Sequence, residues 1–227
     1  MTRDKFTLPL RVTAMYASIL EDKTVKEHLE EVRAVHQDSY EHMVRVGRLS
    51  MYLGMRNHLC DEQLRNIGEA GTLHDVGKKD IPDCVLCKAG PLDEAERKVM
   101  QSHARLGFMI LTGVKQDVRE IVVSHHEYQI ASYPRSGDDR RLEERRNREL
   151  MVQVDARAKS DRRDWSLERR QTNAVNLSLG EMLACADIYD ALSSKLVYKP
   201  AMELARVREI MDQEYIGSKK YVMQLFK

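Results

Sequence analysis

Apolar residues recur along most of this chain at the three- and four-residue spacing that places side chains on one face of an α-helix. The alternation of apolar and polar residues that is typical of a strand is rare. With five prolines and eleven glycines, long stretches remain open to helix formation. The pattern therefore predicts an all-α protein built from packed amphipathic helices.

The predicted helices divide the chain into three parts. One or two leading helices cover residues 1–37, and a C-terminal helix covers most of residues 201–227. Residues 38–200 form the central part, with helices predicted at about 38–57, 61–76, 92–111, from 117 to about 126, and from 178 onward.

Single residues define several of these boundaries. Asp38 and Ser39 form a good N-cap pair for the first central helix. Gly77 is expected to stop the helix that starts near Asp61, and Pro82 prevents its quick resumption.

Residues 135–175 interrupt the helical pattern with a dense mixture of basic and acidic residues and few apolar anchors. This composition favours a solvated helix or a mobile insertion. A lid over a polyanionic substrate is the alternative, because arginine side chains could face phosphate, although the interleaved acids weaken that interpretation. The arginines concerned are Arg140, Arg141, Arg145, Arg146 and Arg148.

Composition and charge narrow the class of protein. A chain of 227 residues that is 42% hydrophobic suits one domain, and a net charge of +1 gives no argument for bulk binding to nucleic acid or to an anionic membrane. We see no apolar run near the roughly 20 residues needed to span a bilayer, and no signal-peptide core. Four cysteines make no disulfide framework, so we expect a cytoplasmic protein. Cys84 and Cys87 are spaced as a metal-binding pair, but without a second pair we expect them to be packing residues.

The pair His74-Asp75 is the first candidate for chemistry. Ile67, Ala70 and Leu73 share a helical face with His74, so this imidazole is predicted to be buried beside a carboxylate. A buried charge needs compensation. Either the two residues form a structural hydrogen-bonded pair, or they bind a divalent metal.

Further polar residues lie on predicted apolar faces. Together with the first pair they form the set His42, His74, Asp75, His103, His125, His126 and Asp187. Several inward-facing imidazoles are hard to satisfy with hydrogen bonds alone, whereas a metal site between helices uses them well. Five histidines and two aspartates are too many for one zinc ion and suit two metals with a bridging carboxylate and hydroxide.

The order of these residues resembles the HD-domain metal-dependent phosphohydrolases and, within that family, the HD-GYP subgroup of cyclic-dinucleotide phosphodiesterases. The resemblance covers about residues 38–200. It rests on His42, Leu73-His74-Asp75-Val76-Gly77-Lys78, Ile81-Pro82, Lys88-Ala89-Gly90, Ser102-His103 with Gly107, His125-His126-Glu127, and Ala186-Asp187-Ile188-Tyr189-Asp190. It implies an HD-domain helical bundle around a dinuclear metal centre.

The resemblance also implies a role for each site residue. One metal would be held by His42, His74, Asp75 and Asp187, with Asp75 bridging, and the second by His103, His125 and His126. The family typically uses iron or manganese. Lys78 would meet a substrate phosphate, and Asp38 lies where some family members have a longer Glu that helps to hold a third metal.

The substrate loop departs from the family pattern, which has an Asp-Gly pair and then Gly-Tyr-Pro after His-His-Glu. Here Tyr133-Pro134 remain, while the Asp and the glycines are absent. In place of the family's Arg-Pro-Tyr the chain has Leu196-Val197-Tyr198. The candidate substrate-binding residues are therefore Tyr133, Pro134 and Tyr198. The set of metal ligands is complete, whereas the substrate-recognition motif is degenerate.

These features predict a metal-dependent phosphodiesterase or phosphohydrolase in which a metal-bridging hydroxide attacks a cyclic dinucleotide or a related nucleotide phosphodiester. Asp75 and Lys78 are the predicted catalytic residues. One alternative keeps the metals but acts as a nucleotide phosphohydrolase or a diiron oxygenase. Another is a nucleotide-sensing or partner-binding protein with weak activity. A homo-oligomer is compatible with each of them.

Overall fold

A computed structural model describes residues 6–88, 90–126, 128, 174–194 and 201–227. The candidate substrate-binding residues Tyr133, Pro134 and Tyr198 lie outside the described residues, as does the charged segment up to residue 173.

The described residues fold into α-helices joined by short turns, and these ranges contain no extended strand. We number the described helices in chain order: α1 (Leu10–Leu20), α2 (Lys23–Val35), α3 (Gln37–Arg56), α4 (Asp61–Leu73), α5 (Asp83–Leu86), α6 (Glu94–Gln101), α7 (His103–Ile110), α8 (Gln116–Ser124), α9 (Ala174–Ser193), α10 (Leu204–Glu214) and α11 (Lys219–Leu225). A 3-10 turn, Val76–Asp80, follows α4. The predicted all-α fold class is confirmed.

Helices α3 and α4 pack along each other at the centre of the bundle, and α8 and α9 pack against them. The predicted inward face of α4 is fully buried, with Ile67, Ala70 and Leu73 inaccessible to solvent. Burying a large apolar side chain of this kind stabilises the fold by about 1.5–3 kcal/mol. The end of α4 is thereby fixed inside the bundle, which places His74 and Asp75 in its interior.

The start of α3 differs from the prediction. The helix begins at Gln37, and its N-cap is His36 instead of Asp38 or Ser39. The Nδ1 of His36 accepts the backbone N–H of Ser39 at 3.2 Å, as a capping oxygen normally does. A histidine in this role is uncommon, so the sequence pattern favoured the more usual caps that follow it.

The helix predicted at 92–111 is in fact two helices. Asp93 caps α6 in a capping box with Glu96, and the chain breaks between α6 and α7 at Ser102. Apolar spacing alone does not reveal this break, because the apolar spacing of Val99, Leu106 and Ile110 continues across it. The break brings His103 to the first position of a new helix.

Gly77 does not act as a helix stop. Helix α4 already ends at Leu73, and Gly77 lies in the 3-10 turn without a left-handed backbone conformation. A Cβ atom at this position would lie far inside contact distance of the His103 carbonyl oxygen and 2.6 Å from the Gly107 nitrogen. Glycine is needed here because the turn touches the backbone of α7.

Three smaller differences concern the periphery. Helices α1 and α2 occupy the predicted leading segment, but the C-terminal segment forms two helices, α10 and α11, instead of one. Cys84 and Cys87 are exposed, so the expectation that they pack was wrong. Among the described helices, none combines the length and the apolar composition needed to cross a membrane.

Candidate metal centre

Three of the predicted ligands occupy the ends of helices. His74 follows α4, His103 follows the break after α6, and His125 follows α8. In each, Nδ1 donates a hydrogen bond to the backbone carbonyl three residues earlier, at 2.8, 2.6 and 2.5 Å respectively. Carbonyls in the last turn of a helix lack the usual donor four residues later, so they remain open to a hydrogen bond from the imidazole. Because the Nδ1–H of each ring is bonded to a carbonyl, Nε2 is the nitrogen that faces the centre, and it can bind metal once it carries no proton.

The first group of candidate ligands lies between α3, α4 and α9. The Nε2 of His42 lies 3.0 Å from Oδ1 of Asp187 and 3.7 Å from Oδ2 of Asp75. The Nε2 of His74 lies 3.3 Å from Oδ2 of Asp75 and 3.7 Å from Oδ1 of Asp187. All four residues are buried, and His74 is fully so. Their donor atoms therefore enclose one small interior volume.

The second group lies between α7 and α8. The Nε2 of His103 lies 3.0 Å from Nε2 of His126 and 3.5 Å from Nε2 of His125. The same atom lies 3.1 Å from Oδ1 of Asp75. Since the other oxygen of Asp75 faces His74, this carboxylate lies between the two groups.

The predicted ligands thus converge. Within the described residues, three sets have donor atoms that all lie within 4.8 Å of one another and could hold a metal ion: His42, His74 and Asp75; His74, His125 and Asp187; and His103, His125 and His126. All seven predicted ligands belong to at least one set, whereas Asp38 belongs to none of the three. The structure brings the seven residues together, and their roles as ligands remain predictions.

The electrostatics of the site fit a cation. The fully buried Nε2 of His74 has no hydrogen-bond partner, although two carboxylates lie within 4 Å. The lone pairs of His103 and His125 also face each other, because both of these rings carry their proton on Nδ1. Facing lone pairs and carboxylates repel one another unless positive charge lies between them. Nitrogen and oxygen donors of this kind suit a divalent transition metal.

The titration of the buried groups reflects the same crowding. Burial by itself would lower the pKa of His74, but the attraction of Asp75 and Asp187 outweighs burial and raises that pKa to about 10. Burial and the neighbouring imidazoles of His74 and His103 lower the pKa of His125 to about 3. Although burial opposes it, the positive charge of His74 and Lys78 holds the pKa of Asp75 well below its usual range. The aspartate is therefore anionic at neutral pH.

Lys78 lies at the solvent side of the first group. Its Nζ donates to Oδ2 of Asp75 at 2.5 Å, and its side chain is 23% exposed while that of Asp75 is 2% exposed. The ammonium therefore sits at the boundary between the buried carboxylate and the surface. The 3-10 turn that carries it is held against α7 by Gly77.

The sequence prediction gave no role to two residues of the site, although one of them, Asp190, belongs to the motif that carries the family resemblance. Asp190 accepts a hydrogen bond from Nδ1 of His42 at 2.7 Å, and Arg45 in turn donates to Asp190 at 2.9 Å. Helical spacing could have indicated both, because Asp190 follows Asp187 by three residues on α9 and Arg45 follows His42 by three residues on α3.

Comparison with known proteins decides the family. Residues 39–177 match the profile of the HD domain. The chain belongs to the HD domain family. The matched range contains every predicted ligand except Asp187, which follows it on α9.

The relatives of this HD domain include several phosphodiesterases. The 3'3'-cGAMP-specific phosphodiesterase 2 of Vibrio cholerae is 31% identical over 184 residues, which cover 78% of this chain and 29% of that protein. The cyclic di-GMP phosphodiesterase response regulator RpfG of Xanthomonas campestris is 42% identical over 81 residues, 34% of this chain and 21% of that protein. A cyclic di-GMP phosphodiesterase of Thermotoga maritima is 33% identical over 110 residues, 46% of this chain and 30% of that protein.

The match to this HD domain covers less than a third of each of these relatives. Their names describe cyclic-dinucleotide phosphodiesterases, the activity typical of the HD-GYP subgroup. The resemblance inferred from the residues is thereby confirmed.

Proposed function

We propose that this HD domain hydrolyses a phosphodiester bond of a cyclic dinucleotide, or of a related nucleotide, at a dinuclear metal centre. The convergence of five imidazoles and two carboxylates in the interior carries the proposal. The names of the relatives, which act on cyclic di-GMP or 3'3'-cGAMP, support the substrate class.

Two divalent ions, iron or manganese, would be held in this centre. His42, His74, Asp75 and Asp187 would hold the first, and His103, His125 and His126 the second, with Asp75 bridging. When bound, such ions activate water as a nucleophile and stabilise the charge that develops on the phosphoryl oxygens. Imidazole with carboxylate ligation is compatible with either metal.

The chain's own residues orient the ligand rings and offset the negative charge of Asp75 and of the substrate phosphate. The helix-end carbonyls fix the rings of His74, His103 and His125 so that each Nε2 faces the centre. An ammonium has three N–H donors, so Lys78 can hold Asp75 and contact a non-bridging phosphate oxygen at the same time. Its position at the surface of the centre is where a phosphodiester would arrive.

The remaining assignments rest on sequence. Tyr133, Pro134 and Tyr198 are proposed as substrate contacts, and residues 38–200 as the catalytic domain between the leading and C-terminal segments. A reducing compartment such as the cytoplasm is proposed because all four cysteines are free thiols.

The deciding experiment uses purified protein whose metals have been quantified. It is incubated with cyclic di-GMP, with 3'3'-cGAMP and with a chromogenic phosphodiester, and the products are separated by chromatography. We expect a linear dinucleotide from at least one cyclic substrate. Full metal loading without turnover of any substrate would overturn the proposal.

A variant and two further measurements make the assay specific. The double substitution His74→Ala with Asp75→Ala should abolish metal binding and turnover together, and surviving activity would place the reaction elsewhere. Dinucleotide binding without turnover would favour the nucleotide-sensing alternative. Oxygen uptake with a mixed-valence iron signal would favour the oxygenase.

A further inference from the structure

His42 differs from the other candidate ligands in what holds its ring. It lies in the interior of α3, so no helix-end carbonyl accepts its Nδ1–H. Instead Nδ1 lies 2.7 Å from Oδ2 of Asp190, while Nε2 points toward Asp187 at 3.0 Å. The imidazole thus lies between two carboxylates that are three residues apart on α9.

Asp190 is itself held by two residues, Arg45 and Ser194. It is buried at 3% exposure. Arg45 donates from Nε to Oδ1 at 2.9 Å and from Nη2 to Oδ2 at 3.0 Å, a paired geometry that matches carboxylate well. The hydroxyl of Ser194 donates to Oδ1 at 3.0 Å. These contacts hold the carboxylate with one lone pair aimed at His42.

We propose that Asp190, held by Arg45, is the positioning residue that fixes the tautomer and orientation of His42 for metal binding. The inference rests on the proposed metal centre but not on its substrate. Asp190 does not join the ligand sets; it acts through His42. A carboxylate that accepts the second ring proton of a ligating histidine also makes the ligand nitrogen more basic.

This arrangement makes the two halves of the centre unequal. Backbone carbonyls hold His103 and His125, and substitution of a side chain does not remove them. His42 depends on a side chain, and that side chain depends on Arg45. Removal of the Asp190 charge should therefore weaken the metal held by His42 and leave the His103 group intact.

Asp190→Asn is the primary test. The amide keeps the size of the side chain and an oxygen that accepts from Nδ1, but it loses the charge. Mn²⁺ is titrated into the metal-free protein, and the concentration of free Mn²⁺ is measured by electron paramagnetic resonance. Loss of an outer-shell partner typically costs about 10- to 100-fold in metal affinity. We expect a loss of that size at one of the two sites.

Arg45 supplies a double-mutant cycle. Because Arg45 is inferred to act through Asp190, Arg45→Met should weaken the same Mn²⁺ site in the natural background and add little in the Asp190→Asn background. Full additivity of the two effects would overturn the link between them. Asp117→Asn is the matched control, since it also removes a carboxylate that accepts a hydrogen bond from α9, through Asn176 at 2.8 Å. Its Mn²⁺ affinities should be unchanged.

The remaining outcomes are also decisive. Unchanged Mn²⁺ affinity in folded Asp190→Asn, or an equal loss at both sites, would overturn the inference. If that variant does not fold, Arg45→Lys, which keeps the charge but loses the paired geometry, should lower the affinity of one site several-fold. Failure of the natural protein to bind any Mn²⁺ would overturn both the metal centre and this inference. Metal binding without dinucleotide cleavage would overturn the proposed function alone.

Discussion

The ammonium of Lys78 lies 2.5 Å from Oδ2 of Asp75, so a partly exposed cation touches a carboxylate that is almost completely buried. The two residues are three positions apart on the turn that leaves α4. This contact joins the interior of the proposed metal centre to the surface from which a substrate would approach.

Lys78→Gln should impair turnover while metal content stays near two ions per chain. Removal of a single donor that stabilises a developing oxyanion costs about 10²- to 10³-fold in kcat. Steady-state hydrolysis of the best cyclic dinucleotide, with metal analysis of the same sample, measures both quantities.

The neighbouring residue provides the control for that substitution. The ammonium of Lys79 pairs with Glu31 of α2 at 2.5 Å, away from Asp75. Lys79→Gln should leave kcat unchanged. An equal loss of activity in both variants would mean that the charge of the turn matters and the position of Lys78 does not.

Chelation of the metals should abolish turnover, and restoration of Mn²⁺ or Fe²⁺ should recover it at about two ions per chain.

His103→Ala should lower the number of tightly bound ions by one, because it removes a ligand from only one of the two groups. His58→Asn serves as the control, since His58 is exposed and its left-handed backbone, with φ 58°, also suits asparagine. Full metal binding by the His103 variant would contradict the assignment.

Metal binding should release protons at neutral pH. In the metal-free protein the pKa of His74 is raised to about 10, so its ring is protonated at pH 7 and must lose that proton to bind metal. His125, with its pKa lowered to about 3, is already neutral and releases none. Apparent affinity should therefore rise with pH between 7 and 9, by about tenfold per pH unit for each proton displaced.

Calorimetry checks the proton release directly. Titration of metal in two buffers with different heats of ionisation gives the number of protons released. We expect about one from His74 and a further contribution from His42, because, although burial opposes the shift, hydrogen bonds to Asp187 and Asp190 raise the pKa of His42. The same heat in both buffers would contradict the protonated state of these rings.

Gly77→Ala should destabilise the protein and loosen the second ligand group. The added methyl group would press on backbone atoms of His103 and Gly107, so α7 must move. Overpacking of this kind costs about 1–3 kcal/mol of the free energy of unfolding. Thermal unfolding and Mn²⁺ affinity measure the two effects.

The control for this substitution is another glycine. A methyl group added at Gly113 would meet no surrounding atom within 4 Å, and the backbone there is not left-handed. Gly113→Ala should therefore leave metal affinity as it is. If Gly77→Ala has the same stability and Mn²⁺ affinity as Gly113→Ala, the close approach of the turn to α7 is not required for folding or for metal binding.

Helical spacing predicted the fold class and the convergence of the ligands because both depend on which residues face the core. Ile67, Ala70 and Leu73 are buried as expected, and His74 lies among them. The same spacing could not locate the break at Ser102, since the apolar spacing of the sequence continues across it even though α6 buries no residue. It also gave Gly77 the wrong role, because a close approach between distant backbones leaves no periodic pattern.

Asp190 and Arg45 were missed for a related reason. Helical spacing places each of them on the same helix face as a predicted ligand, but it cannot show that the two residues pair, because the contact joins positions about 145 residues apart. Only the packing of α3 against α9 turns them into a pair.

The helix-end carbonyls that hold His74, His103 and His125 make the centre robust to mutation. A backbone carbonyl is present whichever residue occupies the position, so substitutions at Met100 or Val122 that preserve the helix keep the acceptor. Sequence divergence can then accumulate around the ligands without reorienting them. A chain with this construction can change what it recognises and still keep the chemistry it performs.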